Sequence, residues 1–236
     1  MESWNSAANA LVADLKRVFG MRLQAVVAYG PAVDGRADAP LTCLALTDTL
    51  TLDDLESCAG RTGEWERRGI ATPLLLTADE FRRSLDAFPL EYGEILRTHV
   101  RVHGDDPFVG LTIARDDLRR ACEAQVKSHL LHLREGFLET RGRPAAIGDL
   151  VVASAPGFGA LLRNVARLTG VSISERVKTT YLGAQAAGLP EGIVRAVLAF
   201  EQPASIPAGD PARLFAEYLA AVEQLARAVD SWRSPT

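Results

Sequence analysis

Leu23-Gln24-Ala25-Val26-Val27-Ala28-Tyr29, followed by Gly30-Pro31-Ala32 and then by Leu41-Thr42-Cys43-Leu44-Ala45-Leu46-Thr47, is the stretch that decides the fold. Each apolar run is short and bounded by turn formers, which reads as a buried strand. Gly30-Pro31 supplies a tight turn at the end of the first. Neither strand carries an acid. The nearest carboxylates are Asp34 and Asp38, which flank Gly35-Arg36 in the connection, and Asp48, just past the second strand.

Working outward, Ile70–Thr77 and Val100–His103 read as further strands, and Gly110–Ile113 as a last one. Thr51-Leu52-Asp53-Asp54 and Thr77-Ala78-Asp79-Glu80 are capping boxes: a hydroxyl caps the first turn, and an acid three residues on reaches back to the capping N–H. The first 21 residues read as an amphipathic helix. From Asp116 the period becomes helical. Leu118, Cys122, Val126, Leu130, Leu133 and Phe137 form one apolar stripe, ended by Gly142 and Pro144. A second helix continues through Ile147, Val151, Phe158 and Leu162 to Gly170, kinked at Pro156. Shorter helices are expected at Val177–Ala187 and Glu191–Phe200, then a Pro/Gly loop at Pro203–Pro211, then a helix carrying Leu214 to Val229, and a frayed tail at Ser231–Thr236. The fold class is therefore α+β: a mixed sheet with flanking helices over residues 1–110, then an all-α bundle over residues 111–236.

Composition narrows the function classes. The 236 residues are 47% hydrophobic with a formal net charge of −4. Acids outnumber bases 17 to 11 up to residue 110, and bases outnumber acids 15 to 13 after it. An acidic front half is a poor electrostatic partner for nucleic acid, so no nucleic-acid partner is expected. No apolar run approaches the roughly 20 residues that span a bilayer, so no membrane association is expected, and the compartment expected is the cytoplasm. Cys43, Cys58 and Cys122 are too few and too scattered for a disulfide framework or a zinc site.

An apolar strand, a Gly turn and a second strand resemble the nucleotidyltransferase superfamily, whose pattern continues Gly-Ser, a short helix and Asp-x-Asp on the next strand. The segments Phe88-Pro-Leu-Glu-Tyr92, Val102-His-Gly-Asp-Asp-Pro107 and Leu130-Leu-His-Leu-Arg134 look like a group of small bacterial nucleotidyltransferase-like proteins that join such a domain to a helical bundle. The resemblance implies two divalent metals held by strand carboxylates, with a phosphate-binding turn whose backbone N–H groups and Ser hydroxyl face the nucleotide. In this chain the Ser position is Pro31, the Asp-x-Asp positions fall near Pro40 and Thr42, and Ile70–Leu76 offers no third acid. The expectation is a degenerate enzyme with no catalytic residues and no cofactor. Its vestigial cleft, lined by Gly30, Pro31, Asp34, Arg36 and Thr42, would hold a small-molecule or nucleotide ligand.

Two alternatives follow from the same residues. Asp34, Asp38 or Asp48 acting as displaced metal ligands, with magnesium, would keep transfer of a nucleoside monophosphate. The apolar stripes Leu118–Phe137 and Leu214–Val229 would make the helical half a homodimer or protein-partner module. Other tempting groups read as structural. His99 and His103 on a strand lie too far apart to share a metal, His129 and His132 sit among leucines, Asp105-Asp106 before Pro107 suits a turn, and Gly157-Phe158-Gly159 lacks the context of a phosphate loop.

Overall fold

The structure, a computed structural model, describes residues 4–36, 38–170, 176–201 and 209–232. Most of the Pro203–Pro211 loop and residues 233–236 of the tail therefore lie outside the described residues. The chain forms two compact units, Met1–Ala114 and Arg115–Thr236.

In the first unit α1 (Asn5–Phe19) precedes β1 (Leu23–Tyr29) and β2 (Thr42–Thr47). Then come α2 (Leu52–Ala59), α3 (Thr62–Arg67), β3 (Leu74–Thr77), α4 (Ala78–Arg83), α5 (Pro89–Thr98) and β4 (Val100–His103). The sheet order is β3-β2-β1-β4. β1 is antiparallel to both β2 and β4, while β2 and β3 run parallel. A parallel neighbour requires a crossover, and α2 and α3 provide it.

The two central strands are covered on both faces, so Ala25–Ala28 and Cys43–Leu46 are continuously apolar rather than alternating. Val26, Ala28, Cys43 and Ala45 pack with Leu11, Leu15 and Phe19 of α1 and with Trp65. Ala25, Val27, Leu44 and Leu46 lie under Phe81, Tyr92, Ile95 and Phe108. A fully buried side chain such as Leu44 contributes about 2 kcal/mol of transfer free energy. Phe81 stacks on Tyr92 at 4.5 Å between centroids, drawing α4 and α5 onto that face.

One carboxylate in this core is paired on every side. Asp14 of α1 is 3% exposed and accepts hydrogen bonds from Trp65 Nε1 at 3.2 Å, Arg17 at 2.7 Å and Arg61 at 3.3 Å. A buried charge is tolerable only when so partnered. Both expected capping boxes are present, Thr51 with Asp54 and Thr77 with Glu80. Asp54 also accepts both arms of the Arg22 guanidinium at 2.7 Å, which holds its carboxyl well below the usual range.

Two strand expectations need correction. Gly110–Ile113 is irregular, not a strand; Leu111 and Ile113 reach the core from a loop that follows Gly110 at φ 79°. Burial, not strand pairing, made them apolar. Ile70–Thr77 pairs as a strand only from Leu74, because Pro73 has no N–H to donate and Ile70 makes an isolated bridge to Leu41.

The second unit holds α6 (Arg115–Thr140), α7 (Pro144–Leu168), α8 (Arg176–Ala186), α9 (Glu191–Leu198) and α10 (Pro211–Ser231). The two apolar stripes meet each other: Phe137 of α6 stacks on Phe215 of α10 with centroids 4.8 Å apart. α7 runs on through Pro156, which sits on its exposed side and leaves one ladder bond unmade. Against expectation, α7 is long and apolar enough by length and composition to cross a membrane, with mean hydropathy 1.6. In the fold it is the helix against which α6, α8 and α10 pack, with Phe158, Leu161 and Leu162 buried. α8 crosses it so closely that a Cβ on Gly183 would lie 1.8 Å from the Leu162 carbonyl oxygen. His129 is fastened at its ring Nε2, 2.8 Å from the Tyr218 hydroxyl, whereas His132 is exposed beside Glu135.

Candidate functional site

The residues expected to line a cleft gather where β1 ends and β2 begins. Tyr29 pairs with Thr42 across the two strands, so their side chains share a face with Val27 and Leu44. Gly30 follows at φ 81°, a left-handed conformation that suits glycine. A Cβ there would stand 4.0 Å from Thr42 Oγ1, an ordinary contact. The glycine is therefore set by the turn's backbone and not by crowding. Leu41 is buried, and Pro40 and Thr42, two residues apart, flank it on the side where paired carboxylates would project.

The turn uses most of its own donors. Val33 and Asp34 donate their N–H groups to the Gly30 carbonyl at 3.0 and 3.1 Å, Gly35 to Ala32 at 3.4 Å, and Arg36 to Pro31 at 2.9 Å. Pro31 has no N–H at all. A phosphate-binding turn works by aiming such groups outward at the anion. Here four of the six residues from Pro31 to Arg36 aim them inward. Arg36 reaches Asp38 at 3.5 Å, both well exposed.

Asp34 finds its electrostatic neighbour on α5. The Arg97 guanidinium is lowered by burial, and the Asp34 charge opposes that shift. Arg97 also donates to Glu94 at 2.6 Å. The site therefore contains Arg97, Glu94 and Tyr92, none of which the reading of the turn had selected. The Phe88–Tyr92 segment carries part of the family resemblance, but nothing in its spacing says that α5 comes back to the turn. Burial pushes the Tyr29 phenol up, with Cys43 and Tyr92 acting the same way, and the Cys43 thiol is pushed up to about 12 by burial. These are protonated, unreactive groups at neutral pH.

The other acids do not converge on the turn. Asp48 donates its N–H to the Arg22 carbonyl at the opposite end of β2, roughly 20 Å from Thr42 at about 3.3 Å per residue. It is no substitute ligand. Asp106 accepts the Phe108 N–H at 2.9 Å and lies 3.4 Å from His99 Nε2, an ordinary turn arrangement. His99 caps the end of α5, and His103 ends β4, so the two do not share one strand as expected. Among the described residues there is no group of three or more His, Cys, Asp or Glu side chains placed to hold a metal ion. The donor set at Pro40 and Thr42 does not fit a two-metal centre, which needs carboxylates on adjacent strands.

No family model matches the chain, and no curated protein matches it. Among solved structures it is similar to spectinomycin adenyltransferase AAD(9) from Enterococcus faecialis, solved with ATP and spectinomycin. The TM-score is 0.59 at 12% identity, over 96% of this chain and 99% of that one. Taken with the mixed sheet and the helical region that follows it, this likeness gives the chain a nucleotidyltransferase-like fold.

Proposed function

We propose that the protein is a pseudo-nucleotidyltransferase, a cytoplasmic binding protein that keeps the fold's cleft and has given up its transfer chemistry. The observation that carries this reading is the pairing of Thr42, in place of a carboxylate, with a turn whose N–H groups bond inward. Transfer of a nucleoside monophosphate requires charge stabilisation of both the attacking and the leaving oxygens. Pro40, Thr42 and Pro31 supply none of it. What the cleft does offer is the Thr42 hydroxyl, the Tyr29 phenol and the Arg97–Glu94 pair, which suit a small molecule or a nucleotide held without metal. Three free, buried cysteines suit a reducing compartment.

The test is a transfer assay on the purified chain with radiolabelled ATP and GTP, magnesium or manganese, and a panel of hydroxylated acceptors that includes spectinomycin. No labelled product is expected. Metal-dependent labelling that disappears in Asp34→Asn or Glu94→Gln would overturn the reading and restore an active enzyme built on displaced acids.

A further inference from the structure

Within the helical unit, α8, α9 and the turn between them line a solvent-open pocket of about 540 Å³, away from the residues around Gly30. Its walls are Tyr181, Ala184, Gln185, Leu189, Glu191 and Val194. Tyr181, Ala184 and Gln185 fall three and four residues apart on one face of α8. Gly188, at φ 68°, turns the chain so that buried Leu189 and Val194 close the other side. The volume lies within the roughly 300–1,000 Å³ typical of small-molecule sites, and so does the mixture of an apolar wall with a few polar groups.

The polar groups decide the chemistry. Among the described residues lining the cavity, Glu191 is the one that carries a charge. Arg195 holds Glu191 from the next turn of α9, but both side chains are about 70% exposed, and such an i,i+4 pair is worth only about 0.3–0.5 kcal/mol. A ligand cation that is partly removed from water displaces so weak a partner. Tyr181 adds an aromatic ring, and rings attract ammonium groups. We propose that this cavity binds a small organic cation, its ammonium on Glu191 and its apolar body against Tyr181, Leu189 and Val194.

The experiment uses the full chain and two probes of nearly equal shape, phenethylammonium and neutral 2-phenylethanol, titrated by calorimetry at neutral pH. The amine is expected to bind more tightly than the alcohol. Glu191→Gln is expected to weaken the amine by about two- to fivefold, the scale of an exposed ion pair, and to leave the alcohol unchanged. Arg195→Ala, which frees the carboxylate, is expected to tighten the amine. Equal affinity for the two probes, no binding of the amine at millimolar concentration, or an Arg195→Ala variant that binds the amine no better would each overturn the proposal. The Arg195→Ala arm decides the matter even if Glu191→Gln perturbs the start of α9.

Discussion

Tyr29 and Thr42 face each other across the β1–β2 pair, one residue short of the left-handed Gly30. The nucleotidyltransferase pattern that the sequence resembles would place a carboxylate at Thr42. Restoring the missing donors with Pro31→Ser, Pro40→Asp and Thr42→Asp together is expected to create divalent-cation binding. In a titration of free manganese followed by its paramagnetic resonance signal, the triple variant should bind at least about tenfold more tightly than the natural chain, or about 1.4 kcal/mol. Equally tight manganese binding by the two proteins would show that the natural residues already form a metal site, and equally weak binding would show that these three positions do not build one.

In the bundle, burial pushes His129 down to about 4 from 6.5, with His132 adding to the shift. The unfolded chain therefore takes up a proton at a pH where the folded one refuses it. This contribution is complete above about pH 6.5 and is lost as pH falls toward 4, amounting to about 3 kcal/mol. Urea unfolding at pH 7.5 and pH 4.5 should show a larger fall in stability for the natural chain than for His129→Gln. Equal falls would mean that His129 is not the group responsible.

Asp14 collects Trp65 Nε1 and three arginines, Arg17, Arg61 and Arg68, within the first unit. Asp14→Ala leaves the indole N–H of a buried Trp65 without its acceptor and should cost about 3 kcal/mol. Asp14→Asn keeps one acceptor for the indole and should cost less. Chemical denaturation of the two variants measures the difference, and equal losses would show that charge and not the indole bond dominates.

Two glycines in the helical unit should respond in opposite directions. Gly183→Ala places a methyl against the Leu162 carbonyl and must part α7 from α8, at about 3 kcal/mol. Gly192, in α9, has nothing within 4 Å of an added Cβ, so Gly192→Ala should be neutral or stabilising by up to about 1 kcal/mol. Paired thermal melts check both. A harmless Gly183→Ala would contradict the close helix crossing.

Much of the fold is legible in local chemistry. β1 begins and ends where its apolar run does, β4 where the alternation of Val100 and Val102 does, and the two capping boxes mark the starts of α2 and α4. These features depend on neighbours within four residues. Gly110–Ile113 misled because an apolar run records burial, and a loop tucked under Phe108 buries residues as well as a strand does. α7 looks apolar all round for the same reason: α6, α8, α9 and α10 all pack on it. At the candidate site, the turn and the missing acids can be read directly from positions 30 to 42. Arg97 and Glu94 cannot, because their place beside Asp34 is fixed by the stacking of Phe81 on Tyr92, a contact made by residues far from the turn in sequence.

The inward bonds of Val33, Asp34, Gly35 and Arg36 have a thermodynamic consequence. A loop that leaves its donors open is ordered by the anion that fills it, and that ordering lowers the net affinity of the anion. A loop that closes on itself is already in its final shape before any solute arrives. The turn at Gly30 therefore needs no ordering by a ligand, and any solute held there raises the melting temperature by mass action alone, with no ordering cost set against its affinity.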